Sequence, residues 1–83
     1  MRHHEMILSP CHGVVEKISI EKDTRIYEWE TLFTIKTVEG RSEEVCVGLS
    51  GIIYSLEVEV GDEVIPGMVL AYINEDLIAS GSD

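Results

Sequence analysis

Residues 13–35 and 51–73 of this chain are one segment written twice, without a gap, at a constant offset of 38. Gly13 falls on Gly51, Glu21 on Glu59, Leu32 on Leu70 and Ile35 on Ile73. Between these identities Val14/Ile52, Val15/Ile53, Ile18/Leu56, Ile20/Val58 and Ile26/Val64 keep their apolar character. A solenoid needs about three or more stacked units before its core is covered. A chain of 83 residues has room for two copies, so they are expected to pack on each other as one pseudo-symmetric domain.

The internal patterning of the copies is that of strands. Val45, Val47 and Leu49 alternate with Glu44, Cys46 and Gly48; Leu56, Val58 and Val60 alternate with Glu57 and Glu59; Ile18 and Ile20 alternate with Lys17, Ser19 and Glu21. A period of two places alternate residues on opposite faces of a half-buried strand. This reading predicts strands near 6–9, 13–21, 31–38, 43–49, 51–59 and 69–74, with short ones around 25–27 and 63–65. Many short strands with frequent turn signals indicate an all-β sandwich or barrel. Residues 6–75 form the expected domain, with polar flanks at 1–5 and 76–83 that are expected to fray.

The turns follow from residue chemistry. Gly61-Asp62 supplies a residue free to take positive φ, and Pro66-Gly67 fits the central pair of a type II turn. In the first copy Asp23 replaces Gly61, and aspartate tolerates the left-handed region. Trp29 replaces Gly67, and tryptophan does not tolerate it, so the turn around Glu28-Trp29 is expected to differ in shape from its counterpart. Gly40, between two alternating runs, marks a hairpin joining the copies.

Composition narrows the function classes. The net charge is −10, from 16 acidic and 6 basic residues, which disfavours nucleic acid and anionic membrane surfaces as partners. That acidity either solubilises the chain or forms a face that docks on a basic protein. No apolar run approaches the roughly 18 residues of a membrane span. Met1-Arg2-His3-His4-Glu5 lacks the apolar stretch of a secretory signal, so a soluble, cytoplasmic protein is the expectation. Cys11 and Cys46 are expected to be reduced and semi-buried, although their sequence contexts leave a disulfide between them open.

Ser9-Pro10-Cys11-His12-Gly13-Val14-Val15, and Ser50 to Val64 followed by Gly67-Met68-Val69-Leu70, resemble the two halves of the biotinyl/lipoyl-attachment domain family. These are the swinging-arm carrier modules of biotin-dependent carboxylases and 2-oxo acid dehydrogenases. The resemblance covers residues 6–74 and implies a flattened β-barrel, a barrel-sandwich hybrid of two four-stranded antiparallel sheets related by a quasi-two-fold. It also implies an attachment lysine at the tip of the hairpin between the halves, because acylation by a ligase requires an exposed primary amine. Counting forward from Leu32 puts that position on Glu39; counting back from Gly51 puts it on Gly40, in a hairpin one residue longer than the family's usual one. Arg41 is adjacent, but a guanidinium stays protonated and is a poor acyl acceptor. Lys36 is the one lysine near the hairpin. It reads either as a displaced attachment site for biotin or lipoate or, with more weight, as a surface lysine paired across the ladder with Glu43 or Glu44.

The other candidates are weaker. His3, His4, Glu5, Cys11 and His12 are potential metal ligands without ligand spacing, so no metal is expected. A nucleophilic Cys11–His12 pair lacks anything to orient the imidazole, and no enzyme is expected. Tyr27 and Trp29 lie in a turn and are candidate partner-binding residues, the competing reading being that Trp29 folds back to cap the core. The expected function is that of a non-enzymatic binding or adaptor module built on a carrier domain. It would carry no cofactor, engage an unidentified protein partner, such as one in a biotin- or lipoyl-dependent complex, and exist as a monomer or weak homo-oligomer. A working carrier modified at Lys36, and a structural lipoyl-like domain of a transport-associated assembly, are the alternatives.

Overall fold

The computed structural model describes residues 3–76. The expected fraying of Ala79 to Asp83 concerns residues outside that range. Eight strands follow in order: β1 (His3–Leu8), β2 (Gly13–Ile18), β3 (Arg25–Ile26), β4 (Thr31–Thr37), β5 (Ser42–Cys46), β6 (Gly51–Leu56), β7 (Glu63–Val64) and β8 (Val69–Glu75). They form two four-stranded antiparallel sheets in the orders β1-β8-β6-β3 and β5-β4-β2-β7. The result is a flattened sandwich, all-β as the alternation predicts. Among the described residues no helix is long and apolar enough to cross a membrane.

Adding 38 to the residue numbers of the first four strands produces the last four, save that β5 starts one residue later than β1 would place it, and exchanges the two sheets. The exchange extends to irregularities. The ladder slips between Val15 and Lys17 on β2 and between Ile53 and Ser55 on β6. It slips again beside Leu8 on β1, and Thr31↔Cys46 followed by Phe33↔Val45 repeats that slip in the other sheet. Each half also lends its short strand to the other: β3 pairs with β6, and β7 with β2. Neither half closes its own sheet, which is why one copy is not a folding unit.

The alternating residues meet between the sheets. Ile7, Val15, Ile26, Leu32, Phe33, Ile35, Ile53, Val64, Leu70 and Ile73 are almost fully buried. Each large aliphatic or aromatic side chain so placed contributes about 1.5–3 kcal/mol, which offsets the ordering of a small chain. Gly13 and Gly51 share one constraint. A Cβ on either would drive into a main-chain carbonyl, of Lys36 and Asn74 respectively, residues again 38 apart. Close passage of two backbones therefore accounts for the glycine that opens each repeat.

Two expectations change. The first strand begins at His3, because His3, His4 and Glu5 pair with Glu75, Asn74 and Ile73; the flank expected to fray through residue 5 is thus laddered from residue 3. Val60, in phase with Leu56 and Val58, is 62% exposed, whereas Val58, also past the end of β6 at Leu56, is buried.

Candidate functional site

The hairpin between β4 and β5 is the position at which a carrier domain would present its lysine. The Thr37 N–H donates to Arg41 O at 2.7 Å and the Gly40 N–H donates to Thr37 O at 2.9 Å, leaving Val38-Glu39-Gly40 as a three-residue loop. Gly40 has φ +91°, the left-handed third position that such loops require. The Thr37 hydroxyl accepts from the Arg41 N–H at 3.1 Å, and Val38 N–H donates to His12 O at 3.2 Å, tying the loop to the segment before β2. Glu39, Gly40 and Arg41 are all exposed at the tip, which offers a carboxylate and a guanidinium but no amine.

Lys36 is elsewhere. Thr37 points into the core, so Lys36 points out from the flat face of β5-β4-β2-β7, in the cross-strand row Ser42–Lys36–Val14–Glu63. The residue opposite it is Ser42, whose hydroxyl donates to Glu16 at 3.0 Å. The expected pairing of Lys36 with Glu43 or Glu44 does not form. Those two stand opposite Ile35 and Thr34, and the two ion pairs among the described residues are His12–Glu63 and Arg25–Asp76.

The turn carrying Tyr27 and Trp29 overturns a second expectation. Trp29 has φ +65°, in the same left-handed region as Gly67 at +87°. Glu30 N–H donates to Tyr27 O at 3.2 Å as Met68 N–H does to Ile65 O at 3.1 Å; Trp29 N–H donates to Val47 O at 2.8 Å as Gly67 N–H does to Ser9 O at 2.9 Å. The two turns therefore have one shape. Hydrogen bonds to the neighbouring strand connection fix the backbone, and the side chain has to accept it. Room for the indole comes from Gly48: a Cβ there would lie 2.7 Å from Trp29 Cη2. The Glu30 carboxylate accepts from the Tyr27 N–H at 2.9 Å and braces the turn. Trp29 is nevertheless 70% exposed and Tyr27 63%, so Trp29 does not cap the core.

The remaining candidates are dispersed. His4 stacks on Tyr54 with ring centroids 4.6 Å apart, whereas His12 Nε2 lies 3.0 Å from Glu63. Among the described residues no three His, Cys, Asp or Glu side chains form a metal-sized group. His12 is engaged by Glu63, not Cys11, and the Cys11 thiol is pushed up from its ordinary 9.0 by partial burial and then by the carboxylates of Glu43 and Glu39. A raised thiol has less thiolate at neutral pH, the opposite of an activated nucleophile. Both cysteines are free, Cys11 partly buried; Cys46, expected to be semi-buried, is exposed on the outer side of edge strand β5. The sequence reading missed the His4–Tyr54 stack, whose signal lay in the outward positions of the two copies: Tyr54 stands where the first copy has Glu16.

The chain is similar in fold to parts of two solved carboxylases. Urea carboxylase of Kluyveromyces lactis superposes with a TM-score of 0.77 at 21% identity, over 86% of this chain and 6% of the enzyme. A single-chain, multi-domain long-chain acyl-CoA carboxylase superposes with a TM-score of 0.72 at 11% identity, over 95% of this chain and 8% of that one. This chain thus spans a small fraction of either enzyme. No protein-family model matches the sequence, and no curated protein matches it.

Proposed function

We propose that this chain is a biotin-carrier-like domain that bears no prosthetic group and acts as a non-enzymatic binding or adaptor module for a protein partner in a carboxylase-type assembly. The observation that carries the reading is the hairpin tip. Val38-Glu39-Gly40 is well formed and exposed, but its side chains and the neighbouring Arg41 provide no acylatable amine. The fold likeness to the two carboxylases supports the choice of assembly.

The partner-contacting element in this reading is the Tyr27–Glu30 turn. A bulky residue at positive φ costs about 1–2 kcal/mol, and the partial burial of a largely exposed indole does no more than offset it. The matched turn at 65–68 keeps the same hydrogen bonds with glycine, so the tryptophan is not required by the fold. Tryptophan and tyrosine exposed together form the kind of anchor that dominates protein interfaces. The chain's charge of −10 complements a basic partner surface.

The intact mass of the protein purified from its native host, with biotin and lipoate ligases overexpressed, tests the loss of carrier function. An unmodified mass is expected. A biotin or lipoate increment on Lys36 sinks the proposal in favour of a working carrier.

A further inference from the structure

The repeat supplies an internal control for each outward-facing position, because the two sheets are the same structure built from the two copies. On β5-β4-β2-β7 the outward rows are Ser42–Lys36–Val14–Glu63 and Glu44–Thr34–Lys17, with Glu16 at the slip in the ladder. On β1-β8-β6-β3 the equivalent rows are His4–Asn74–Ile52–Arg25 and Met6–Tyr72–Ser55, with Tyr54 at the slip. Structural demands at paired positions are equal, yet Glu44 is matched by Met6, Glu16 by Tyr54, Thr34 by Tyr72 and Glu63 by Arg25. Met6 is 57% exposed and Tyr54 48%, and Leu8 beside them is 44% exposed. The fold does not need this face to be apolar, since its twin, Val14 apart, is built from charged and small polar residues.

We infer that the outer face of β1-β8-β6-β3 is the surface through which two copies of this chain pack, sheet against sheet, about a two-fold axis. Charge selects the occupant. In a chain of net charge −10 these rows hold one formally charged side chain, Arg25, already bonded to Asp76 at 2.5 Å. Two copies meeting here bring no unpaired carboxylate of these rows into contact, and the nearby Glu57 carboxylate accepts from the Ser55 hydroxyl at 2.6 Å. The twin face presents Glu16, Glu44 and Glu63 together with Lys17 and Lys36, a mixed charged surface that would have to be desolvated. Association through strand edges is opposed: Glu5 and Glu43, at matched positions on edge strands β1 and β5, stand opposite buried Ile73 and Ile35, on the core side where a pairing strand would have to cover them.

Area sets the strength. Three strands of about six residues and a fourth of two, about 4.8 Å apart and rising about 3.3 Å per residue, give a footprint of roughly 300 Å² per copy. The total of roughly 600 Å² falls well below the ~1,200 Å² at which stable interfaces begin, so the dimer is weak and dependent on concentration. Salt strengthens it by screening the repulsion of the remaining carboxylates.

Sedimentation equilibrium between 10 µM and 1 mM, at low and high NaCl, is the test. The mass of the wild type should rise from 9.3 kDa toward twice that value, and more so at high salt. The double substitution Met6→Glu, Tyr54→Glu installs residues that the other copy already uses at 44 and 16, so it should keep its circular dichroism spectrum and weaken dimerisation at least about tenfold. Val14→Glu with Thr34→Glu adds the same charge to the twin face and should leave the dimer within about threefold of wild type. A wild type monomeric at 1 mM in high salt, or equal loss in both double variants, overturns the inference. The first outcome would point instead to a different protein on this face, the second to net charge alone.

Discussion

Trp29 offers a measurement in which backbone strain separates from side-chain packing. Trp29 is 70% exposed, so about 30% of roughly 250 Å², some 75 Å², is covered, part of it by Gly48. At about 25 cal/mol per Å² that contact contributes about 2 kcal/mol, an upper bound because the unfolded chain also covers part of the ring. Trp29→Ala loses the contact and keeps the strain of a Cβ at φ +65°, so it should destabilise by about 1–2 kcal/mol. Trp29→Gly loses the same contact but releases about 1–2 kcal/mol of strain, against about 0.5–1 kcal/mol for the greater freedom of glycine in the unfolded chain. The glycine variant should therefore be more stable than the alanine variant by about 0.5–1 kcal/mol, or roughly 2–8 °C in Tm for a domain of this size. Urea unfolding followed by far-UV circular dichroism reads this directly; fluorescence cannot serve, because Trp29 is the single tryptophan. An alanine variant more stable than the glycine variant would refute the left-handed turn. A loss of 3 kcal/mol or more in both would mean that the indole is core, and the adaptor reading of this residue would fall with it.

Two further outcomes are expected. Gly13→Ala and Gly51→Ala should each destabilise by about 2–3 kcal/mol or more, and by similar amounts, because each forces a methyl against a carbonyl of the adjacent strand; urea midpoints of the pair check both the clash and the symmetry. The hydrogen bond from Arg25, aided by its charge and by Ser50, holds the Asp76 carboxyl below its ordinary 3.8. A depressed carboxylate contributes stability that is present above 3.8 and is lost as pH falls through its lower folded value. Asp76→Asn should accordingly flatten the fall of Tm below pH 4 relative to wild type, and an unchanged slope would show that the pair is not maintained in solution.

Much of the architecture was legible in the residues because its causes are local. Period-two alternation placed the strands, and glycine or aspartate at 23, 40, 61 and 67 marked turns that do take positive φ. The constant offset of 38 fixed the pseudo-symmetry, down to slips in the ladder that no propensity would have revealed. The missing amine at Glu39-Gly40-Arg41 was equally plain, since it depends on residue identity alone. Tertiary structure decided the rest. Trp29 takes a conformation its own preference opposes, because Val47 O, on the far side of the β4–β5 hairpin in sequence, holds its N–H. Lys36 lost its expected acidic partners because the three-residue loop sets a register with Ser42 opposite it. The apolar rows of Met6, Tyr54 and Tyr72 are scattered in sequence and become one surface only when β8 lies between β1 and β6. Duplication is a property of the chain, whereas the divergence of its two outer faces exists only once strands from both copies interleave.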